Sequence, residues 1–237
     1  MTSLTLKWVA VISMLIDHIG VALVPSGTPT YFVCRAIGRL AFPLFAYLIA
    51  EGYFYTKNYK WYIGRLLIFA FISEIPFDLL RHGDFPVWNN QNVLLTFVIA
   101  LAALYFFDRF AVADNRLPAL LTLLIAALAA QLFNADYGAF GILLVFVFYF
   151  HRGRPRTMVM WYSVIVIVFA ALNAYAALPY INNVIQSLIS GFALFALIPI
   201  IIYCKNRKKG YAAPSWKYFF YVFYPAHMML LFILARM

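Results

Sequence analysis

Apolar residues in this chain come in long unbroken runs. They show neither the alternation of strands nor the narrow stripe of a helix on a water-soluble domain. Read from break to break, nine runs predict helices at about 5–24, 35–54, 61–80, 91–109, 117–133, 137–151, 158–178, 184–203 and 217–235. The breaks are short and polar or rich in proline and glycine: PSGTP at 25–29, KNYK at 57–60, RHGDFPVWNN at 81–90, DN at 114–115, NAD at 134–136, GRPR at 153–156, PYINN at 179–183 and the basic 205–210 run. The sixth run is short for a membrane span of about 20 residues. Eight helices, with 117–151 forming one span and a re-entrant piece, is therefore the alternative count. The predicted fold class is all-α, a polytopic transmembrane helix bundle occupying residues 1–237 as one integral membrane domain.

Composition sharpens this picture. Hydrophobic residues make up 66% of the chain and charged ones 11%, with a mean hydropathy of +0.88. A soluble domain carries about a quarter charged residues, so this chain has too little polar surface to cover itself in water. The lipid bilayer is its solvent, and a multi-pass protein of a cell membrane is expected. The first run is a retained helix and not a signal peptide, because Asp17 and His18 interrupt it and no small-x-small site follows. Cys34 and Cys204 fit no metal-ligand or redox spacing, and no metal site is expected.

The net charge of +10 sits in short clusters between apolar runs, such as HRGRPR at 151–156 and KNRKKG at 205–210, and not in one patch suited to nucleic acid. With nine helices, Lys57 and Lys60, Arg109 and Arg116, Arg152, Arg154 and Arg156, and Lys205, Arg207, Lys208 and Lys209 all fall in alternate loops. The remaining loops offer only Arg81. Basic loops stay inside, which predicts a cytoplasmic N-terminus and an outward C-terminus.

Orientation gives depth. At 1.5 Å per residue, Asp17 and His18 lie roughly 18–20 Å along the first helix, past the midplane toward the outer face. Arg35 and Arg39, four apart, fall in the outer turns of the second helix, and Glu74 and Asp78 near the outer end of the third, around Pro76. Asn92 opens the fourth helix, Asp136 the sixth, and His227 lies midway along the ninth. Ionisable groups within a membrane are expensive and face a bundle interior or a wet cavity. So many at similar depth predict a polar chamber. Structural readings stand beside this one. The arginines can snorkel to headgroups, Glu74 can pair with Arg39 to fix packing, Glu51 can pair with Lys57, and His227 can bond a backbone carbonyl. Adjacent helix residues point about 100° apart, so the group that orients His18 is either Asp17 or a carboxylate on another helix, such as Glu74.

Such a chamber suits two chemistries. A neutral histidine can take a proton from an amine or hydroxyl attacking a thioester, while arginines bind phosphate or carboxylate. The same residues would serve a proton-coupled transporter. Residue types and spacing leave both open.

Several blocks of the sequence resemble the TraX family of membrane proteins, named for the F-pilin acetylation protein. They are LKWVAVISMLIDHIG at 6–20, RAIGRLAFPLFAYLIAEGYFYTKN at 35–58, YIGRLLIFAFISEIPFDLL at 62–80, QNVLLTF at 91–97, DYGAFGILLVF at 136–146 and KYFFYVFYPAHMMLL at 217–231. The resemblance implies an integral membrane acetyltransferase that moves an acetyl group from acetyl-CoA to an acceptor presented outside. The acceptor is a pilin N-terminus or a surface glycan or small molecule. By the same resemblance His18, Asp17 and His227 are candidate catalytic residues, and Arg35, Arg39, Glu74, Asp78, Asn92 and Asp136 candidates for binding the acceptor. On the predicted topology, Arg152, Arg154, Arg156, Lys205 and Arg207 of the inner loops are the candidates for the phosphates of acetyl-CoA. A non-catalytic factor in pilus or surface assembly is the remaining alternative.

Overall fold

The structure is a computed structural model and describes residues 1–113, 115–205 and 214–237. Arg207, Lys208 and Lys209 lie outside the described residues. Where lipid replaces water, backbone N–H and C=O groups must be satisfied within the segment, and helices follow. Among the described residues there are eleven α-helices: α1 (Ser3–Leu23), α2 (Pro29–Gly38), α3 (Ala41–Tyr55), α4 (Tyr59–His82), α5 (Val93–Val112), α6 (Arg116–Leu132), α7 (Gly138–Phe150), α8 (Pro155–Ala176), α9 (Ile181–Ile189), α10 (Leu197–Lys205) and α11 (Pro214–Ala235). A 3-10 segment, Ser190–Ala196, joins α9 to α10. The pair α2–α3 and the run α9 to α10 each form one interrupted rod, so the described residues make nine rods at the predicted places. The protein is a polytopic membrane protein: six of these rods are long and apolar enough to cross a bilayer. Of the rest, α4 has the length but carries Arg65, Glu74 and Asp78, and α6 and α7 are shorter apolar helices.

Local chemistry sets the ends. Thr2, Thr28, Asn58 and Asn92 cap α1, α2, α4 and α5 by accepting a bond from a backbone N–H of the first turn. Gly83 ends α4 in the left-handed conformation that glycine adopts without penalty. The second helix expected from sequence is broken at Arg39–Leu40, and Pro43, in the first turn of α3, makes a fresh start there cheap. The break lets α2 and α3 lean differently while remaining one rod.

The short helix α7 is the centre. Its 13 residues include Phe140, Ile142, Leu144, Val145, Phe146 and Phe148, all buried, and it packs on α3, α5, α6 and α8. It is short because the turn before it is tucked against the start of α5. Gln91 N–H donates to Asn134 O at 2.9 Å, Asp136 N–H donates to Gln91 O at 2.9 Å, and Thr96 hydroxyl donates to Asp136 O. At the other end of α7 the hydroxyls of Tyr53 and Tyr149 both donate to Asp108, tying α3 and α7 to α5.

Helices α1 and α2 pack face to face through small residues. A Cβ on Gly20 would come within 2.6 Å of Cys34 Cβ, and one on Gly38 would overlap the Asp17 carboxylate. α11 lies against α4 and α1, with Trp8 on Trp216 at one end and Arg236 donating to Gly83 O at the other.

The Asp108 clamp is open to test. Asp108→Ala removes an acceptor shared by two tyrosines and is expected to cost about 1–3 kcal/mol. In detergent it should melt well below wild type, with Tyr149→Phe in between. Melting that matches wild type would show that the clamp contributes nothing.

Candidate functional site

Polar side chains from α1, α2, α4 and the turn before α7 converge on one cavity of about 270 Å³. Asp17 and His18 of α1 line it, as do Arg35 and Arg39 from the end of α2, Arg81 of α4, and Asp136 and Tyr137 of the turn; Tyr224 and Met228 of α11 complete the wall.

Asp17 pairs with Arg35 at 2.6 Å, its other oxygen lying over Gly38 without a hydrogen-bond partner. The glycine of RAIGR is thus what lets the carboxylate approach. Neither Asp17 nor Glu74 orients His18. That partner is His227 on α11, whose Nε2 lies 2.7 Å from His18 Nδ1. The second nitrogen of His227, Nδ1, is 2.7 Å from Phe223 O. A carbonyl only accepts, so Nδ1 of His227 carries the proton. With both rings neutral, His227 Nε2 is then the acceptor and His18 Nδ1 the donor. His18 Nε2 is left as a bare basic nitrogen. Phe223, His227 and His18 stack in sequence, at 4.8 and 4.9 Å between ring centres, which fixes the ring planes.

Not every sequence candidate joins this wall. Asn92 caps α5, donates to Ala70 O at 2.8 Å and bonds Glu74; Asp78 accepts from Val87 N–H at 2.8 Å. Glu74 and Asn92 thus brace α4 against the start of α5, and Asp78 holds the loop between them. Arg152 bonds Glu51 at 2.9 Å and lies over the Phe54 ring at 4.1 Å. With Lys205 it lines a separate cavity of about 320 Å³ at the opposite end of the bundle, and that cavity shares no residue with the His18 chamber. Arg154 and Arg156 are exposed.

Arg81, Tyr137 and Tyr224 were not among the sequence candidates. Arg81 carries a signal of sorts, three residues after Asp78 on the same helix. Tyr137 does not, because its backbone (φ 65°) is a left-handed conformation that only the fold reveals.

A further cavity, of about 370 Å³, begins near Lys7, Thr56, Tyr62 and Arg65 at the basic end and runs between Leu48, Ile49 and Phe97. Met14, Phe45, Val93 and Tyr224 line both it and the His18 chamber. The two cavities therefore adjoin, and Met14 is one helical turn before His18.

The family model for "TraX protein" matches residues 3–235. The chain belongs to the TraX family. With its membrane bundle, membership carries the general role of a TraX-like membrane acetyltransferase. A relative in Dichelobacter nodosus, described as a probable fimbrial assembly protein FimC of serogroup H1, is 30% identical over 95% of this chain and 92% of its own length. An uncharacterized protein of Rickettsia prowazekii is 35% identical over 43% of this chain and 36% of its own. No solved structure matches.

For this TraX family member the histidine geometry gives a direct expectation. Nitrogen-15 NMR of histidine-labelled protein at neutral pH should find both His18 and His227 with the proton on Nδ1, the minority tautomer of free imidazole. A proton on His18 Nε2 would contradict this order of donors and acceptors.

Proposed function

We propose that the protein transfers an acetyl group from acetyl-CoA to an amine or hydroxyl acceptor at the outer face of the membrane, with His18 as general base. One observation carries the reading: the polar chamber that His18 lines adjoins a cavity beginning at the basic end, the two sharing Met14, Phe45, Val93 and Tyr224. The basic end, with Lys57, Lys60, Arg109, Arg152, Arg154 and Arg156, belongs in the cytoplasm by the positive-inside rule. That orientation leaves the chamber nearer the outside.

The path from the basic end fits the donor. Its long apolar walls suit an extended chain, and at its mouth Arg65 lies over Tyr221 with its Nε buried and unpartnered. Lys7 and Arg65 are therefore the better candidates for its phosphates than Arg152 and Lys205, whose cavity is separate, or the exposed Arg154 and Arg156. The donor supplies an activated acyl carbon and a thiolate leaving group. His18 Nε2 would take the acceptor's proton as it attacks and return it to the leaving group. The Nδ1–H···Nε2 bond to His227 would hold the reactive tautomer and share the charge that forms. Asp17 would position Arg35, while Arg39 and Arg81 would face developing negative charge in a site sheltered from water. The fimbrial name of the D. nodosus relative makes a surface-fibre subunit one acceptor to consider.

His18→Gln keeps a polar side chain and removes the base. Purified variant should still be stabilised against heat by acetyl-CoA, yet turn over roughly 10²–10⁴-fold more slowly. Near-normal turnover would remove His18 from the mechanism. Gly52→Phe, which fills the donor path beside Tyr62, should abolish stabilisation by acetyl-CoA. If wild type itself shows none, the transporter or the non-catalytic assembly factor becomes the better reading. Compartment reporters fused after 58 and 154 should report cytoplasm and one at the C-terminus the outside; a cytoplasmic C-terminus would reverse the assigned direction.

A further inference from the structure

Met14, Phe45, Val93 and Tyr224 form a rim shared by the His18 chamber and the cavity that begins at Lys7 and Arg65. A thioester entering through that cavity must bring its acyl carbon to this rim, because His18 stands on the other side of it. Three of the four residues offer the rim apolar side chains. Tyr224 offers a hydroxyl, which can donate a hydrogen bond. The charged groups each belong to one side. Arg39 and Arg81 line the chamber and not the donor cavity, while Lys7 and Arg65 line the donor cavity and not the chamber.

The surroundings fix this tyrosine in place. Its side chain is 5% exposed and packs with Met14, Ala41, Phe77 and Met228 in a small apolar cluster. It precedes His227 by three residues on α11, so the two share a face, with 6.0 Å between ring centres. Tyr224 thus stands beside the histidine pair as well as on the rim. Val93 is the first residue of α5, where backbone N–H groups find no partner within their own helix. Its N–H lies within hydrogen-bonding reach of the Tyr224 hydroxyl. A phenol that accepts from an amide keeps its own proton for another partner.

Attack on a thioester turns the carbonyl oxygen into an oxyanion. On an apolar rim such a charge is expensive unless a donor already faces it. A donor held in place before the reaction begins is worth most in a site from which water is excluded. Position and chemistry both single out Tyr224.

We propose that Tyr224 is a catalytic residue whose hydroxyl donates to the acyl carbonyl oxygen of the donor; the inference rests on the transferase reading above. The acceptor's nitrogen or oxygen bonds to the thioester carbon as the carbonyl π pair moves onto oxygen, where the Tyr224 O–H meets it. The pair then returns and the C–S bond breaks. The acceptor's proton passes through His18 Nε2 to the departing thiolate, and Tyr224 keeps its own. Tyr224→Phe removes the hydroxyl and leaves the ring that packs. The experiment uses membranes of the source cell, deleted for its own copy and expressing wild type or the variant, so that the natural acceptor is present. Release of the CoA thiol from acetyl-CoA should be roughly 10²–10³-fold slower in the variant, at an unchanged KM. In purified protein, the infrared carbonyl stretch of bound [1-13C]acetyl-CoA should lie lower in wild type than in the variant, since a hydrogen bond weakens the C=O bond. Equal turnover would overturn the assignment. Slow turnover with a raised KM and no stabilisation by acetyl-CoA would also overturn it, by making Tyr224 a packing residue. Wild type that releases no CoA above membranes lacking the protein overturns the transferase reading itself, and this inference with it. If the variant fails to insert, the wild-type spectrum decides. A stretch at the frequency of acetyl thioesters in a solvent without donors overturns the proposal, and a lower one supports it.

Discussion

No water is available in the hydrocarbon core to satisfy a polar group, so each ionisable side chain placed there must find its partner in the bundle. The Asp17–Arg35 pair and the His18–His227 pair are two such solutions, on consecutive residues of one helix. Because neighbouring helix positions point about 100° apart, α1 turns its carboxylate to α2 and its imidazole to α11. Two adjacent residues thus bind three helices around one cavity. Breaking either pair would leave a part-buried polar group without its partner, and the packing fits the first pair closely, down to Gly38 beneath the carboxylate.

The same constraint divides the polar residues into two kinds. Glu74 and Asn92 bond each other and backbone groups and hold α4 to the start of α5, while Asp78 accepts from Val87 N–H in the loop between them. Thr96 and Gln91 do likewise for the turn before α7. Arg39, Asp136 and His18, by contrast, turn toward open space. The braces spend hydrogen bonds on the frame, although Glu74 Oε1 and Asp78 Oδ1 stay unpartnered, whereas the second group lines the cavity. The distinction separates a rigid frame from a site that can exchange protons.

Rigidity and access meet at α7. A full-length span there would have carried the preceding turn out to the membrane surface. At 13 residues the helix leaves Asp136 and Tyr137 inside the bundle, between two cavities. The left-handed backbone of Tyr137 and the positive φ of Gly138 that follows are held by the bonds from Gln91 and Thr96. Local strain is kept where it aims a side chain.

Much of the architecture was legible in the chain itself. Long apolar runs have one stable outcome in lipid, and their breakers mark the ends, so nine rods emerged among the described residues close to their predicted bounds. The polar depth of Asp17, His18, Arg35, Arg39 and Asp136 was readable for the same reason, since rise per residue converts position into depth. What sequence could not supply was azimuth and partner. Depth alone groups Glu74 and Asn92 with His18, although they bond elsewhere, and it offered Asp17 or Glu74 as the group that orients the imidazole. Only the packing of α11 against α1 selected His227, 209 positions away in sequence. The break at Arg39, the tucked turn of Tyr137 and the nearness of two cavities at Met14 likewise depend on how helices lean together. A sequence states which residues avoid lipid, but the direction in which each one turns is settled by its neighbours in space.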